Sequence, residues 1–198
     1  MPGPGLIVLA AGASKRMGRP KQLLPWKGRT LLRHACETAL ATSLRPIVVV
    51  LGCEGEACER ELAGLDVCHV LNSEWSKGMG TSVASGIAAL ERCEPQASGA
   101  LLMLVDQPDL TPSFLESILD RWSEGDNVIV ATQYAEGGGV PALFSRSFFR
   151  DLRALDSDRG ARQIIARGGA AVTLIQSPDE LRDLDTPELF ASRVLRLN

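Results

Sequence analysis

The chain has 198 residues, 45% of them apolar, and a formal net charge of −3. That length fits one domain spanning residues 1–198, burying about 70% of its unfolded surface. The acidic balance excludes a nucleic-acid partner, because no basic stretch neutralises phosphates in series. Five cysteines without a C-x-x-C pair read as reduced, mostly buried thiols. With no basic n-region, no signal-like apolar run and no segment near ~18 apolar residues, the expectation is a soluble cytoplasmic protein without membrane contact.

The first predicted strand, Leu6–Ala11, runs into the loop Ala10-Ala11-Gly12-Ala13-Ser14-Lys15-Arg16-Met17-Gly18-Arg19-Pro20-Lys21. Leu31, Ala35 and Thr38 then recur at helical spacing, followed by strands at Pro46–Leu51 and Val67–Leu71. A glycine-flanked loop, Asn72–Ser82, leads to a helix marked by Val83, Ile87 and Leu90. The strand Ala100–Val105 ends in Asp106-Gln107-Pro108, and Thr111-Pro112 opens a helix striped by Phe114, Leu115, Ile118, Leu119 and Trp122. A strand at Asn127–Thr132 precedes the irregular stretch Tyr134–Phe144, whose Gly137-Gly138-Gly139 and Pro141 suggest an excursion from the main sheet. A last strand at Ala170–Ile175 and a helix opened by Thr186-Pro187-Glu188 finish the pattern. Near-continuous apolar strands alternating with helices predict an α/β fold, a doubly wound and mostly parallel sheet.

In such a sheet a ligand lies beyond the carboxyl ends of the strands, which puts the first loop at the default site. Its small residues let a ligand approach the backbone, whose N–H groups form an anion-binding concavity, and Arg16 and Lys21 add positive charge. It is neither a Walker A loop nor G-x-G-x-x-G; the plain alternative is a strand-to-helix connection with exposed cations. Asp106, at the tip of a strand opposite that loop, is placed to hold a hard divalent cation, or else it merely starts the turn at Pro108.

Leu9-Ala10-Ala11-Gly12-Ala13-Ser14-Lys15-Arg16-Met17-Gly18 followed by Lys21 resembles the L-A-A-G-x-S-x-R-M-G-x-x-K signature of the MobA-like nucleotidyltransferases, most closely the molybdenum cofactor cytidylyltransferase branch. The resemblance implies a Rossmann-like fold of the nucleotide-diphospho-sugar transferase type. It also implies that Leu9, Ala10, Ala11, Gly12 and Ser14 cradle a nucleotide whose phosphates meet Arg16 and Lys21. The Ala-Ala pair looks like the cytidine-using form, where guanylyltransferases show Ala-Gly-Gly. The resemblance puts Mg²⁺ on Asp106 and on Asp185 of Asp183-Leu184-Asp185-Thr186-Pro187-Glu188, with replacement by Mn²⁺ left open. Asn72, Gly80 and Ser82 fall in a segment similar to the family's nucleoside-binding N-x-x-W-x-x-G-M-G-x-S; ordinary capping by Thr81 or Ser82 is the alternative. On the acceptor side, about residues 134–165, Gly139, Pro141, Asp158 and Arg162 fall in segments similar to G-x-P-x-x-F and G-D-x-G-A-R. Val140 and Ser157 depart from those patterns, and a helix cap at Asp158 and a solvated face at Arg162 stand as alternatives.

The implied reaction is attack by an acceptor phosphate on the α-phosphorus of CTP or another nucleoside triphosphate, releasing pyrophosphate. A phosphate monoester is largely dianionic near neutral pH, its second pKa being about 6, so no general base is required. The two histidines, His34 on a predicted helix and His69 on a predicted strand, read as structural. The acceptor implied is a molybdopterin-type cofactor, whose dinucleotide form a molybdoenzyme would receive. A sugar 1-phosphate acceptor, or a non-catalytic carrier role, remain alternatives.

Overall fold

A computed structural model of the chain describes residues 2–122, 128–156, 158, 160–178 and 181–195, with Lys15 described only in its backbone. The elements in chain order are β1 (Gly5–Ala10), β2 (Pro25–Trp26), β3 (Arg29–Thr30), α1 (Leu31–Leu40), β4 (Ile47–Leu51), α2 (Gly55–Glu61), β5 (Cys68–Leu71), α3 (Met79–Cys93), β6 (Gly99–Leu104), α4 (Pro112–Arg121), β7 (Ile129–Tyr134), β8 (Gly137–Ser145), α5 (Phe149–Arg153), α6 (Arg162–Arg167), β9 (Val172–Gln176) and α7 (Pro187–Leu195). Short 3₁₀ turns at Lys15–Met17 and Lys21–Leu23 replace a helix after the first loop.

The sheet has seven strands in the order β5-β4-β1-β6-β8-β7-β9. It is mostly parallel, as expected: β1 pairs in parallel with β4 and β6, β4 with β5, and β7 with β9. Alternate residues of β1 feed opposite cores. Leu6, Val8 and Ala10 pack with α1, α2 and α4 through Cys36, Cys58 and Leu115, whereas Ile7 and Leu9 pack with α3, α5 and α6 through Val83, Leu152 and Ile165. Burial on both faces explains why β1, β4 and β6 read as unbroken apolar runs, whereas β5 and β9, at the sheet's edges, are partly exposed.

One expectation is overturned. Gly137–Ser145 is no excursion: β8 lies inside the sheet, antiparallel to both β6 and β7. Glycine and proline signal a turn locally, but pairing on both sides prevails. Phe144 stands opposite Ala100 and Ile129, and Leu143 opposite Leu101 and Val130. The register slips between Ala131 and Thr132, which pair with Ala142 and Gly139 respectively, so Val140 and Pro141 form a bulge and the missing proline N–H interrupts no ladder.

The cysteines are free, but only Cys36 and Cys58 are buried; Cys53 and Cys68 are half-buried and Cys93 is exposed. The caps hold as expected, with Thr111 Oγ1 accepting from Phe114 N at 3.2 Å and Thr186 Oγ1 from Leu189 N at 3.3 Å. Residue 127, where a strand was expected to open, lies outside the described residues, as do Ser157 and Arg159. Among the described residues no helix is long and apolar enough to cross a membrane.

Candidate functional site

Strand order reverses between β1 and β6, so the crevice beyond their carboxyl ends is where an open α/β sheet takes its ligand. The loop after β1 is laced from beneath. Gln22, fully buried, donates through Nε2 to the Ala10 carbonyl at 2.6 Å and the Gly12 carbonyl at 2.7 Å. Ala11 carbonyl accepts from Cys53 N at 3.0 Å, and Ser14, in the left-handed region at φ 52°, accepts through Oγ from Lys21 N at 3.1 Å. Leu9, Ala10 and Ala11 are buried. Gly12 differs: it is exposed, and a Cβ there would meet nothing within 4 Å, leaving open space above the loop.

Lys21 turns inward. Its Nζ lies 2.8 Å from Asp106 Oδ2 and 2.7 Å from Asp185 Oδ1, and Arg16 reaches Asp185 Oδ2 at 3.0 Å. Burial works against the Lys21 ammonium, but the adjoining Asp106 and Asp185 carboxylates outweigh it and hold its pKa above the ordinary value. For Asp106 burial dominates and raises the carboxyl, with Lys21 opposing and Asp183 and Asp185 adding to the rise. For Asp185 the burial cost is outweighed by the hydrogen bond and charge of Lys21 and by Arg16, and its pKa falls.

The chain brings Asp185 here by a backbone clasp. Leu184 N donates to the Asp106 carbonyl at 2.9 Å, while the Leu184 side chain is buried with Met17, Leu24, Trp26, Leu31 and Phe190. Two carboxylates that already share one cation form a hard-oxygen donor set, and Asp106 Oδ1 is buried with no hydrogen-bond partner. That set fits Mg²⁺ or Mn²⁺, which take one or two protein carboxylates and complete their shells with water and phosphate oxygens. Among the described residues no group of three or more His, Cys, Asp or Glu is placed to hold a metal ion.

The loops after β4 and β5 meet the first loop almost backbone to backbone. A Cβ on Gly52 would lie 2.6 Å from the Ala11 carbonyl oxygen and 2.8 Å from Trp75 Cβ. Asn72 is buried and its side chain is fully committed: Nδ2 donates to Thr81 Oγ1 at 2.9 Å and to Ser82 Oγ at 3.0 Å, and Oδ1 accepts from Glu74 N at 3.0 Å. Asn72 and Ser82 therefore shape this loop from within. Neither Thr81 nor Ser82 caps α3; Gly78 occupies that position without a side-chain hydrogen bond, and Gly80 sits buried in the first turn. That end of α3 is a source of free N–H groups for an anion or ribose.

Beside the Lys21 cluster opens a cavity of about 950 Å³, floored by Leu9, Leu104 and Val140 and walled by Tyr134, Gly139 and Arg162. Asp158 also lines it and is exposed; it caps no helix, since α6 begins at Arg162 after Ala161. Arg162, largely exposed, lies 3.7 Å from Glu136. Pro141 is buried in β8, its carbonyl accepting from Thr132 Oγ1 at 2.7 Å, so it supports the wall from behind. Gln22, Gln107, Tyr134 and Asp183 are the residues that sequence reasoning passed over. Gln107 and Asp183 stood inside motifs already noted, but nothing in one dimension pairs them. His34 Nε2 contacts the Pro108 carbonyl at 2.9 Å and His69 pairs with Glu59 at 3.2 Å, so both histidines are engaged elsewhere.

Comparison with known proteins bears on the fold and the family. The chain is 35% identical over 193 residues to nicotine blue oxidoreductase of Paenarthrobacter nicotinovorans, covering 92% of each chain. It is 28% identical over 185 residues to the molybdenum cofactor cytidylyltransferase of Escherichia coli K12, covering 93% of this chain and 92% of that one. Among solved structures, Rv0371c from Mycobacterium tuberculosis H37Rv superposes with a TM-score of 0.81 at 31% identity, covering 97% of both chains. A complex of the same protein with manganese gives 0.74 at 30% identity over 99% of both chains. The MobA-like NTP transferase domain model matches residues 6–172, from the first strand through to β9. With that match across most of its length, and with the loop, lysine and paired aspartates gathered at the sheet's reversal point, the chain belongs to the family of MobA-like nucleotidyltransferases.

Proposed function

We propose that this protein transfers CMP from CTP to a molybdopterin-type cofactor, releasing pyrophosphate, within one domain whose residues 134–165 serve the acceptor. The observation that carries the reading is Lys21 lodged between Asp106 and Asp185, bonded through its backbone to Ser14 of the first loop, with Gln107 and Asp183 lining the adjacent 950 Å³ cavity. The loop backbone from Leu9 to Ser14, with Arg16 and Lys21, takes the triphosphate. Asn72, Gly80 and Ser82 form the nucleoside side, Asn72 and Ser82 by shaping their loop. Gly139, Asp158 and Arg162 face the acceptor, backed by Pro141. Cytidine selectivity is supported by the Ala10-Ala11 pair and by the cytidylyltransferase relative.

The acceptor phosphate arrives as a dianion, its second pKa being about 6, so the site has no proton to remove. Placement and charge compensation do the chemistry. Lys21 and Arg16 have their carboxylate partners at 2.7–3.0 Å and can exchange them for phosphate oxygens. Asp106 and Asp185 would hold Mg²⁺ or Mn²⁺, which when bound neutralises charge on the α-phosphoryl and the departing pyrophosphate. The product would pass to a molybdoenzyme.

Pyrophosphate release tests this directly, with CTP, GTP, ATP and UTP each offered with molybdopterin and, separately, with sugar 1-phosphates. Release with CTP and molybdopterin is expected, and Asp106→Ala should lower turnover by a factor on the order of 10²–10³ while remaining folded. Release with a sugar 1-phosphate alone would replace the acceptor; nucleotide binding without any release would remove the catalytic reading.

A further inference from the structure

Gln107 follows the candidate metal ligand Asp106, and its side chain, 4% exposed, packs where three segments meet. Nε2 donates to Asp183 Oδ1 at 2.9 Å and faces Tyr134 Oη at 3.2 Å and the Val140 carbonyl at 3.4 Å. A primary amide offers two hydrogens. One is committed to the carboxylate, and the other is shared between the two remaining oxygens. Tyr134 Oη donates its own hydrogen to Val140 O at 2.7 Å, so it cannot replace the amide at Asp183. The amide's orientation is forced, because turned end for end it would set Oε1 against the Asp183 carboxylate. In the orientation present, Oε1 is buried without a hydrogen-bond partner. That is an unfavourable state, which the charge-assisted bond to Asp183 offsets.

Asp183 begins the segment that delivers Asp185. Residues 183 and 184 are pinned in succession, the first by the Gln107 amide and the second by the Leu184 N–H to the Asp106 carbonyl at 2.9 Å. Resting on the assignment of Asp106 and Asp185 as metal ligands, we infer that Gln107 is a positioning residue joining the metal site to the acceptor cavity. By holding Asp183 it fixes the segment on which Asp185 rides. By holding Tyr134 and Val140 it fixes the cavity wall beside that site, which Gln107 and Asp183 also line. Partners that orient metal ligands from outside commonly carry 10–100-fold in affinity; Gln107 acts two residues away from its ligand, so about tenfold is expected.

The test titrates Mn²⁺ alone into the full chain and reads free Mn²⁺ by electron paramagnetic resonance. Wild type should bind Mn²⁺ and Asp106→Asn should lose it; if wild type does not bind, the metal assignment itself fails and the inference goes with it. With that established, Gln107→Met, which keeps the length, drops both donors and leaves the charge unchanged, should weaken Mn²⁺ binding about tenfold. Asp183→Asn, which removes the charge but keeps the side-chain oxygen that accepts from Gln107 Nε2, should bind Mn²⁺ more tightly than Gln107→Met. Thermal unfolding of each variant separates misfolding from misplacement. Wild-type affinity in Gln107→Met overturns the inference while leaving the metal site standing. So does an Asp183→Asn variant as weak as Gln107→Met, since Asp183 would then act as a ligand or a charge and not as an acceptor.

Discussion

Replacing Lys21 by Met removes the cation between Asp106 and Asp185 while keeping the length of the side chain. Lys21 and Asp106 are 10% and 17% exposed, so their pairing is little screened; Asp185 is 36% exposed and retains Arg16, so its share is small. Breaking a buried pair by deleting one partner costs about 3–5 kcal/mol. The loss has a ceiling, because Asp106 can escape by taking up a proton. From an ordinary pKa near 3.8 that costs about 4 kcal/mol at pH 7 and about 1.6 at pH 5, at 1.36 kcal/mol per unit. The expected deficit is therefore about 3 kcal/mol at pH 7, or roughly 6–12 °C in Tm for a chain of this size. The sign follows from linkage. Without Lys21 the folded carboxyl titrates above its unfolded value, so the penalty is absent below pH ~4 and grows as pH rises through the folded pKa. Urea unfolding in EDTA at pH 5 and pH 7.5 measures it, and added Mn²⁺ should stabilise the variant more than wild type, since the carboxylates no longer have Lys21 to displace. A variant as stable as wild type at pH 7.5, or a deficit unchanged at pH 5, would refute the reasoning.

Gly52→Ala forces a methyl within 2.6 Å of the Ala11 carbonyl oxygen, which is backbone and cannot simply rotate away. It should cost about 1–3 kcal/mol in chemical denaturation and raise the KM for nucleotide about tenfold by displacing the loop. Leu184→Ala empties a fully buried site under the Asp185 segment, with an expected loss of about 2–5 kcal/mol by the same assay and weaker Mn²⁺ binding; unchanged Mn²⁺ affinity would detach the segment's packing from the metal site. His34 is held below its ordinary pKa chiefly by burial, with Arg29 and Lys27 adding to the shift and its contact to Pro108 and the charge of Asp109 opposing it. Its contribution is complete above pH ~6.5 and is lost as pH falls through the depressed folded pKa. Wild-type stability should accordingly drop more than that of His34→Gln between pH 7 and pH 5, and parallel profiles would exclude His34 as the titrating group.

The amino-acid sequence alone determined the strands whose burial is two-sided. β1, β4 and β6 appear as unbroken apolar runs because both faces meet helices, and Thr111-Pro112 and Thr186-Pro187 mark helix starts because capping is local chemistry. It also made the first loop legible, since small residues followed by two cations within a dozen positions are a one-dimensional signal. Helices of five to seven residues such as α2 and α5 stayed hidden, being too short for a 3.6-residue period to register. Only the tertiary structure placed β8 in the sheet, where pairing on both edges overrides the turn preference of its glycines and proline. Likewise, only the fold sets Asp106, 85 residues along the chain, and Asp185, 164 residues along, within 3 Å of Lys21 Nζ. The same holds for Gln107 and Asp183, which lie 76 residues apart. Local propensity acts over a few residues, whereas a site at a sheet's rim is assembled by the loops that packing brings there. The residue types could be read in order along the chain, but their partners were decided by topology.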